Sequence, residues 1–346
     1  MTEFGLVTNG LSCGYERSNP VLKSLQISFR ESTFSCVIGS NGVGKTTLLR
    51  TLAGILSPLE GTATLGGVPV HELTPIARAR RMSVVLTELV PPGYLTVSQF
   101  VQLGRHPHQD LFGRLRKEDH AACERALEQA GISHLRERWL SEVSDGERQR
   151  AAIARGLAQS AEVMILDEPT AFLDAAGRAT IMTRLQRIAH ESRRLIVATS
   201  HDIDLVLRTA DTVVLLRDDG HVCVGSPEDL VIAGELERLF PASELQFDHA
   251  TGSFRLPPRD GPLVCVTGNS TASCWARHVV ERIGFTVCDG PPYLLRVTPD
   301  DHTPTRFTLC LRDNEDELQV ANSYAELAAI LRFSVGSMHG THPGRG

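Results

Sequence analysis

The sequence lacks any run of about 18 uninterrupted apolar residues, the length that a membrane-spanning helix requires. Its first ten residues have neither a basic start nor an apolar stretch, so we expect no signal peptide and no membrane span. The formal net charge is only -6 over 346 residues, and an acidic balance does not suggest a nucleic-acid-binding surface. We therefore expect a cytoplasmic protein with no nucleic-acid partner.

Paired cysteines are also missing. The eight cysteines are scattered along the chain and no two of them form a C-x-x-C pair, so we expect most of them to be small buried residues. Histidines cluster at His106 and His108, and again at His339 and His342, but without a matching ligand set at a metal-site spacing. Neither a disulfide framework nor a metal site is predicted at these positions.

The sequence does contain enough apolar residues for an ample core, at 42% hydrophobic and 22% charged residues. Apolar patterning predicts strands and helices that alternate, which indicates a mainly parallel α/β sheet preceded by an antiparallel N-terminal stretch. The predicted strands are 11–15, 25–29, 35–38, 163–166, 195–199, 213–216 and 222–224, and the predicted helices are 47–56, 98–104, 118–130 and 148–158.

The length exceeds that of one ordinary domain, so a second and smaller unit is expected. Residues 1–243 are predicted to form the main domain, with a helical subdomain at about 88–160. Residues 244–262 are polar and proline-rich and are interpreted as a linker. Residues 263–333 are predicted to form a small α/β domain, and 334–346 a flexible tail.

A glycine-rich turn between a predicted strand and a predicted helix carries the first functional motif. It reads Gly39-Ser40-Asn41-Gly42-Val43-Gly44-Lys45-Thr46, followed by Thr47, and matches G-x-x-x-x-G-K-[ST] in the required context. Glycines let backbone N–H groups surround phosphate oxygens at a helix N-terminus. Lys45 would reach the β- and γ-phosphates and Thr46 would ligate Mg²⁺. A kinase, a GTPase or a motor could each use such a loop.

A buried apolar strand that ends in two acids provides the second motif. In residues 163–168, Asp167 could hold Mg²⁺ and Glu168 could polarise an attacking water. Taken alone, the same pattern also fits a strand that ends in a solvated acidic pair.

The third motif is Val143-Ser144-Asp145-Gly146-Glu147, which opens a predicted helix. Ser144 and Gly146 can present a hydroxyl and backbone amides to phosphate. This segment resembles the L-S-G-G-Q signature of ATP-binding-cassette ATPases, with Val, Asp and Glu at three positions where that family usually has Leu, Gly and Gln. The resemblance covers about residues 6–240 and implies a P-loop NTPase cassette with a helical subdomain.

Further residues take their roles from this resemblance. Tyr15 resembles the aromatic side chain that stacks on adenine, and residues 171–174, which end at Asp174, resemble the loop that communicates between subunits. His201 in Thr199-Ser200-His201-Asp202 resembles the switch histidine that contacts the γ-phosphate. One phosphate loop and one signature imply that two cassettes, as a homodimer or with a sister chain, close on two ATP molecules.

The glutamine that this family usually carries at the start of its lid is absent. Thr87 stands in its place and Glu88 follows, so Thr87 is the candidate for the metal-sensing role, with Glu88 as the alternative if the loop slips by one residue. Both side chains can form hydrogen bonds. This departure is expected to affect the rate of ATP hydrolysis or its coupling to the membrane partner.

Residues 95–97, 101 and 104–108, together with 111–115 and 118–119, resemble the helical subdomain of importers for iron chelates and cobalamin. The resemblance implies an ATPase that drives import of a ferric siderophore, haem or cobalamin through separate permease subunits, supplied by an extracytoplasmic binding protein. It places the chain at the inner face of the membrane, with residues 87–112 as the permease contact.

Three other interpretations remain open. They are a soluble cassette ATPase acting on ribosomes or DNA, a separate exporter subunit, and a regulatory ATP-binding adaptor with weakened hydrolysis. Intact Lys45, Asp167, Glu168 and His201 count against the adaptor. For the C-terminal extension, a structural or dimerising role is favoured over ligand sensing, because Gly268-Asn269-Ser270 lacks a full glycine fingerprint.

Overall fold

The computed structural model describes residues 5–87, 94–110, 113–240, 245–249, 251–257, 261–293, 295–300, 302–311 and 314–339. The chain divides into two compact units between Arg255 and Leu256. Over these described ranges, no helix is both long enough and apolar enough to cross a membrane.

The elements are numbered along the chain. The strands of the first unit are β1 (Leu6–Cys13), β2 (Leu22–Leu25), β3 (Ser28–Phe29), β4 (Phe34–Gly39), β5 (Glu60–Leu65), β6 (Val68–Pro69), β7 (Met82–Val85), β8 (Val163–Leu166), β9 (Leu195–Thr199), β10 (Thr212–Leu216), β11 (Val222–Gly225), β12 (Gln246–Asp248) and β13 (Ser253–Arg255). Its helices are α1 (Lys45–Leu52), α2 (Pro75–Arg81), α3 (Val97–Gln102), α4 (Lys117–Ala130), α5 (Asp145–Ala158), α6 (Ala175–Ser192), α7 (Ile203–Thr209) and α8 (Pro227–Ile232). The second unit contains β14 (Leu263–Val266), α9 (Thr271–Ile283), β15 (Thr286–Cys288), β16 (Leu295–Pro299), β17 (Phe307–Leu311), β18 (Asn314–Ala321) and α10 (Tyr324–His339).

The first unit is built on a six-stranded sheet in the order β11-β10-β4-β9-β8-β7. Its strands are parallel except β11, which returns antiparallel to β10. Alternate residues of each strand face opposite cores: in β8, Val163 and Ile165 join one apolar cluster while Met164 and Leu166 join the other. Burial of both faces explains why β8 is apolar at every position.

A smaller antiparallel sheet covers one of these cores. Its strands follow the order β2-β1-β5-β6, with β3 also paired to β1. The helical subdomain, α3 to α5, contributes to the core on the opposite face through residues such as Phe100, Leu127 and Ile153. The fold class predicted from the sequence, a parallel α/β cassette with an antiparallel N-terminal sheet, is confirmed.

The second unit contains a separate sheet in the order β15-β14-β16-β17-β18. Strands β15, β14 and β16 are parallel, and β17 and β18 continue antiparallel. Its apolar core lies between one face of the sheet and the helices α9 and α10. The unit therefore has a core of its own, as a small α/β domain requires.

Two parts of the predicted organisation differ from the structure. The range 244–262, interpreted as a linker, contains the β12–β13 hairpin, and Phe247 of that hairpin is buried in a core of the first unit. Aromatic packing outweighs the polar composition, because Phe247 and Phe254 stack edge to face. Helix α10 also continues to His339, within the predicted tail; residues 340–346 lie outside the described residues.

Several helix boundaries also shift. The helix predicted at 47–56 begins at Lys45 and ends at Leu52, and Gly54 just beyond it has a positive φ of 66°, a conformation that terminates helices. Helix α6 was not predicted, although its N-cap signal is present in Asp174, whose carboxylate accepts a hydrogen bond from the Gly177 N–H.

A buried ion pair holds the helical subdomain together. The Arg105 Nε and Nη2 atoms each lie 2.8 Å from Oδ1 of Asp119, and Arg105 Nη1 donates to the Ala158 carbonyl at 2.7 Å. Asp119 also accepts a hydrogen bond from the Arg116 N–H at 2.8 Å. Burial alone would raise the pKa of Asp119, but its hydrogen bonds from Arg116 and Arg105 hold that pKa below its usual value.

We expect Asp119→Asn to lower the free energy of unfolding by about 3 kcal/mol, because it leaves the Arg105 guanidinium buried without its anion. Denaturant unfolding at pH 7 measures this, followed by Trp139 fluorescence in a Trp275→Phe background, which removes the second tryptophan of the chain. Glu118→Gln, at an exposed position beside it, is the control and should change stability by less than about 0.5 kcal/mol.

The contribution of the Arg105–Asp119 ion pair to the free energy of unfolding should decrease as the pH falls. The folded-state pKa of Asp119 is depressed, so its contribution is complete above the unfolded-state pKa of about 3.9 and is lost as pH falls through the folded-state value. The difference in the free energy of unfolding between the parent and Asp119→Asn should therefore become smaller below about pH 4. If the difference in the free energy of unfolding stays the same at low pH, the negative charge of Asp119 is not the source of its contribution to stability.

Candidate nucleotide-binding site

The candidate residues follow four neighbouring parallel strands, β4, β9, β8 and β7, at the edge where each of these strands ends. The phosphate loop follows β4, Thr87 follows β7, Asp167 and Glu168 follow β8, and His201 follows β9. Ligands bind at the carboxyl ends of strands in open α/β sheets. The topology thus brings together residues that are up to 162 positions apart, from Gly39 to His201.

The phosphate loop requires glycine for steric reasons at two positions. A Cβ atom at Gly39 would lie 2.4 Å from the Leu216 carbonyl oxygen, closer than real Cβ contacts. Gly44 caps the N-terminus of α1 with a φ of 110°, which disfavours other residues. The chain can therefore turn sharply from β4 into α1, with backbone N–H groups at the helix N-terminus.

Lys45 folds back over this loop. Its ammonium group donates to the carbonyl oxygens of Gly39 and Ser40, each at 2.9 Å. Burial lowers the pKa of Lys45, while the carboxylates of Glu168 and Asp167 act in the opposite direction. The loop therefore holds a cation beside the helix N-terminus, a combination suited to an anionic phosphate chain.

Asp167 accepts two side-chain hydrogen bonds at the site. Its Oδ2 accepts a hydrogen bond from the Thr46 hydroxyl at 2.9 Å, and its Oδ1 accepts one from the Thr199 hydroxyl at 2.7 Å. The Thr199 hydroxyl accepts in turn from the Glu168 N–H at 2.8 Å. These bonds join α1, β8 and β9, and they place a hydroxyl and a carboxylate together as oxygen donors of the kind that Mg²⁺ prefers.

Glu168 and His201 face each other beside this pair. His201 Nε2 is hydrogen-bonded to Oε1 of Glu168. Glu168 has a positive φ of 49°, which is uncommon for a residue with a side chain and is typical of functional sites. A carboxylate in contact with an imidazole can orient and polarise a water molecule.

Thr87 also lies at the site, where its hydroxyl donates to the backbone carbonyl of Asp167 at 3.0 Å. It supports the backbone that carries the carboxylate. Glu88, the alternative candidate, lies outside the described residues.

The signature segment forms a complete capping box at the start of α5. Ser144 accepts from the Glu147 N–H at 3.3 Å, and Glu147 accepts from the N–H and the hydroxyl of Ser144 at 2.8 and 2.9 Å. The bond from the Ser144 N–H lowers the pKa of Glu147. The Glu that departs from the usual signature thus satisfies the S-x-x-E pattern, a signal already present in the sequence.

The structure does not bring every predicted residue to the phosphate loop. The side-chain hydrogen bonds of Ser144 all go to Glu147. Gly146 packs against Leu173 and the carbonyl of Phe172, in the loop that ends at Asp174. Asp174 caps α6, and the Tyr15 side chain is 64% exposed beyond the end of β1.

Two residues with contacts at the site were not predicted to have a role there. Thr199 belongs to the same motif as His201, and its hydroxyl connects Asp167 with Glu168. Asp218, in the turn between β10 and β11, accepts a hydrogen bond from the Ser40 hydroxyl. No local pattern signals either contact, because both depend on which strands are neighbours in the sheet.

Glu168 and His201 also border a cleft of about 560 Å³. Residues 170–173 and the aromatic side chains of Phe240 and Phe254 line other parts of its wall. The side chains of both catalytic candidates are partly exposed at this cleft.

A family model described as ABC transporter matches residues 22–171, which include the phosphate loop, the signature and the acidic strand. An uncharacterized ABC transporter ATP-binding protein of Methanocaldococcus jannaschii is 37% identical over 279 residues, which cover 80% of this chain and 96% of that protein. The ferric enterobactin transport ATP-binding protein FepC of Escherichia coli is 36% identical, over 66% of this chain and 84% of its own length.

A solved structure of a metal-chelate type ABC transporter in an inward-facing conformation is 26% identical, with a TM-score of 0.59. The match covers 68% of this chain and 88% of that one. The sequence relatives and the solved structure therefore agree on the family. This chain belongs to the ATP-binding-cassette transporter family, as an ATP-binding subunit of the kind that hydrolyses ATP to drive transport.

Proposed function

We propose that this chain is the motor that energises import of a metal chelate, of the ferric siderophore, haem or cobalamin type, through separate permease subunits. The observation that carries the ATPase part is the convergence of Lys45, Asp167 and Glu168 at one sheet edge. The chelate part rests on similarity to a ferric enterobactin relative and a metal-chelate transporter. Nothing among these observations favours a non-transport role.

Each residue has a separate task in this proposal. Lys45 and the N–H groups of the phosphate loop would hold the β- and γ-phosphates. Thr46 and Asp167 would hold Mg²⁺, with Thr87 as an additional candidate, and the bound ion would supply positive charge next to the transferred phosphoryl group. Glu168 polarises the attacking water, and His201 orients Glu168 and contacts the γ-phosphate.

The proposal includes a second copy of the cassette. Ser144 and Gly146 would contact the nucleotide held by the phosphate loop of the partner, and Tyr15 would stack on adenine within its own copy. Support comes from the capping box, which places the Ser144 hydroxyl at the N-terminus of α5. Residues 171–174 lie next to Gly146 and include Phe172, whose side chain is half exposed.

The permease contact is proposed for residues 87–112, of which 87 and 94–110 are described. Tyr94 is 97% exposed and Leu103 is half exposed, so large apolar side chains are available there. Such side chains are typical of surfaces that bind another protein. The chain would thereby work at the inner face of the membrane, with an extracytoplasmic binding protein as an indirect partner.

We expect Mg²⁺-dependent ATP turnover by the parent chain, and a loss of at least about 100-fold in Glu168→Gln, because a positioned base contributes a factor of this size. Glu168→Gln should also accumulate an ATP-stabilised dimer, since it binds ATP without hydrolysing it. Turnover and light-scattering mass, with and without ATP, measure both. Glu191→Gln, on the exposed side of α6, is the matched control and should behave as the parent.

Two results would contradict this part of the proposal. Full ATP turnover in Glu168→Gln would show that Glu168 does not polarise the attacking water. If every variant stays monomeric at saturating ATP, the proposal that two copies of the cassette associate on ATP is wrong.

Thr199→Val keeps the side-chain shape but removes the hydroxyl that joins Asp167 to Glu168. We expect the Mg²⁺ concentration for half-maximal turnover to rise about 10- to 100-fold, because residues that orient a metal ligand have effects of this size. Thr209→Val is the matched control, since its buried hydroxyl donates only within α7. Equal Mg²⁺ titrations of the two variants would contradict the assigned role of Thr199.

The chelate specificity has its own test. The chain, reconstituted in proteoliposomes with its permease subunits, should hydrolyse ATP several-fold faster when the cognate binding protein carries a ferric siderophore, haem or cobalamin than when it is empty. Free sugar or amino-acid ligands serve as the negative control. Stimulation by one of these, with no response to any chelate, would leave the ATPase assignment intact and overturn the chelate assignment.

A further inference from the structure

Three cysteines lie in one row across the sheet of the second unit. In the strand register, Cys288 of β15 pairs with Cys265 of β14, Cys265 pairs with Arg296 of β16, and Arg296 pairs with Cys310 of β17. Residues that are in register on neighbouring strands present their side chains to the same face of the sheet. The row therefore gathers three thiols and one guanidinium on a single face.

This face is the one turned away from the helices. The residues before and after Cys265, Val264 and Val266, belong to the apolar core that also contains Ala276 of α9 and Leu327 of α10. Since alternate residues of a strand point to opposite faces, Cys265 points away from that core. The thiols are thus not needed for packing between the sheet and its helices.

The strand spacing allows only one pair in this row to form a bond. Neighbouring strands are about 4.8 Å apart, which falls within the Cα separation of about 4.4–6.8 Å found across disulfides. Cys265 and Cys288 are on neighbouring strands, whereas β16 lies between Cys265 and Cys310. That separation of about 9.6 Å exceeds the limit of about 7 Å.

The position of β15 favours a reversible bond. This strand has only three residues and lies at the edge of the sheet, so it pairs on one side alone. It can shift by the small amount needed to bring the two sulfur atoms together. The bond would lie at this edge, where Cys288 is partly exposed, and exposed disulfides are more readily reduced than buried ones.

The two thiols differ in access and in charge environment. Cys265 is 6% exposed, while Cys288 is partly exposed. Burial, reinforced by the neighbouring Cys288, raises the pKa of Cys265, and the Arg296 guanidinium acts in the opposite direction. Cys288 is therefore the thiol that an oxidant in solution reaches first, and Cys265 is the neighbour that resolves the product.

We propose that Cys265 and Cys288 form a redox-reversible pair, oxidised by low-molecular-weight disulfides such as oxidised glutathione. The Cys288 thiolate attacks one sulfur of the glutathione disulfide, forms a mixed disulfide and expels one glutathione thiolate. The Cys265 thiolate then attacks the Cys288 sulfur, forms the protein disulfide and expels the second glutathione. The protein loses two electrons and two protons, and the glutathione disulfide gains them.

The test uses the full-length chain without substitution. Protein that has been reduced and freed of reductant is incubated with oxidised glutathione, quenched with an alkylating reagent, digested and mapped by mass spectrometry. We expect a Cys265–Cys288 cross-link that disappears on treatment with excess reduced glutathione. Cys310 should remain open to alkylation or carry at most one glutathione.

Two variants separate the proposal from general thiol reactivity. Cys288→Ser should abolish the cross-link and leave Cys265 as a thiol that alkylates only on unfolding. Cys310→Ser is the matched control, because it removes another cysteine of the same row and should retain the full yield of cross-link. Circular dichroism verifies that both variants are folded.

Other products would overturn the proposal. A chain in which Cys288 stops at the mixed disulfide while Cys265 stays alkylatable would show that the thiols do not meet. A disulfide from Cys265 to Cys310, or between two copies of the chain through the exposed Cys274, would show that strand register does not decide the pairing. None of these outcomes depends on ATP or on transport, so they leave the proposed function unaffected.

Discussion

The carboxylate of Asp167 is the group on which the arrangement of the candidate site depends. It accepts one hydrogen bond from Thr46 at the start of α1 and one from Thr199 at the end of β9. Two segments that are far from Asp167 along the chain are therefore held within hydrogen-bond distance of its side chain. Because Asp167 is buried, these bonds act in a less polar environment than water, where loss of one partner is costly.

The parallel sheet makes this arrangement possible. Strands β4, β9, β8 and β7 end at one edge, and their apolar residues are divided between cores on the two faces. The strands are thus supported on both sides, while the side chains of Glu168 and His201, which follow them, are partly exposed. Glu168 can hold its uncommon backbone conformation there because the Thr199 hydroxyl binds its N–H group.

Departures from the usual cassette motifs are accommodated locally. Glu147 replaces the usual glutamine of the signature, and it completes a capping box with Ser144. Thr87 stands where the family resemblance puts the usual lid glutamine, with Glu88 as the alternative, and the Thr87 hydroxyl donates to the backbone carbonyl of Asp167. In each case a shorter or charged side chain makes a hydrogen bond within its own chain, so the departure adds a local contact.

The sequence alone was sufficient for the family and the fold class, because the phosphate loop, the signature and the acidic strand are contiguous motifs with fixed local geometry. The roles of the individual site residues stay predictions. A second, smaller α/β unit could also be expected from the length of the chain and its local apolar patterns. Only the tertiary structure showed that Thr199 joins Asp167 to Glu168 and that Phe247 belongs to a core. Only strand register brought Cys265 beside Cys288, 23 positions along the chain. Such pairings depend on which strands are neighbours, a long-range property that local pattern and propensity do not contain.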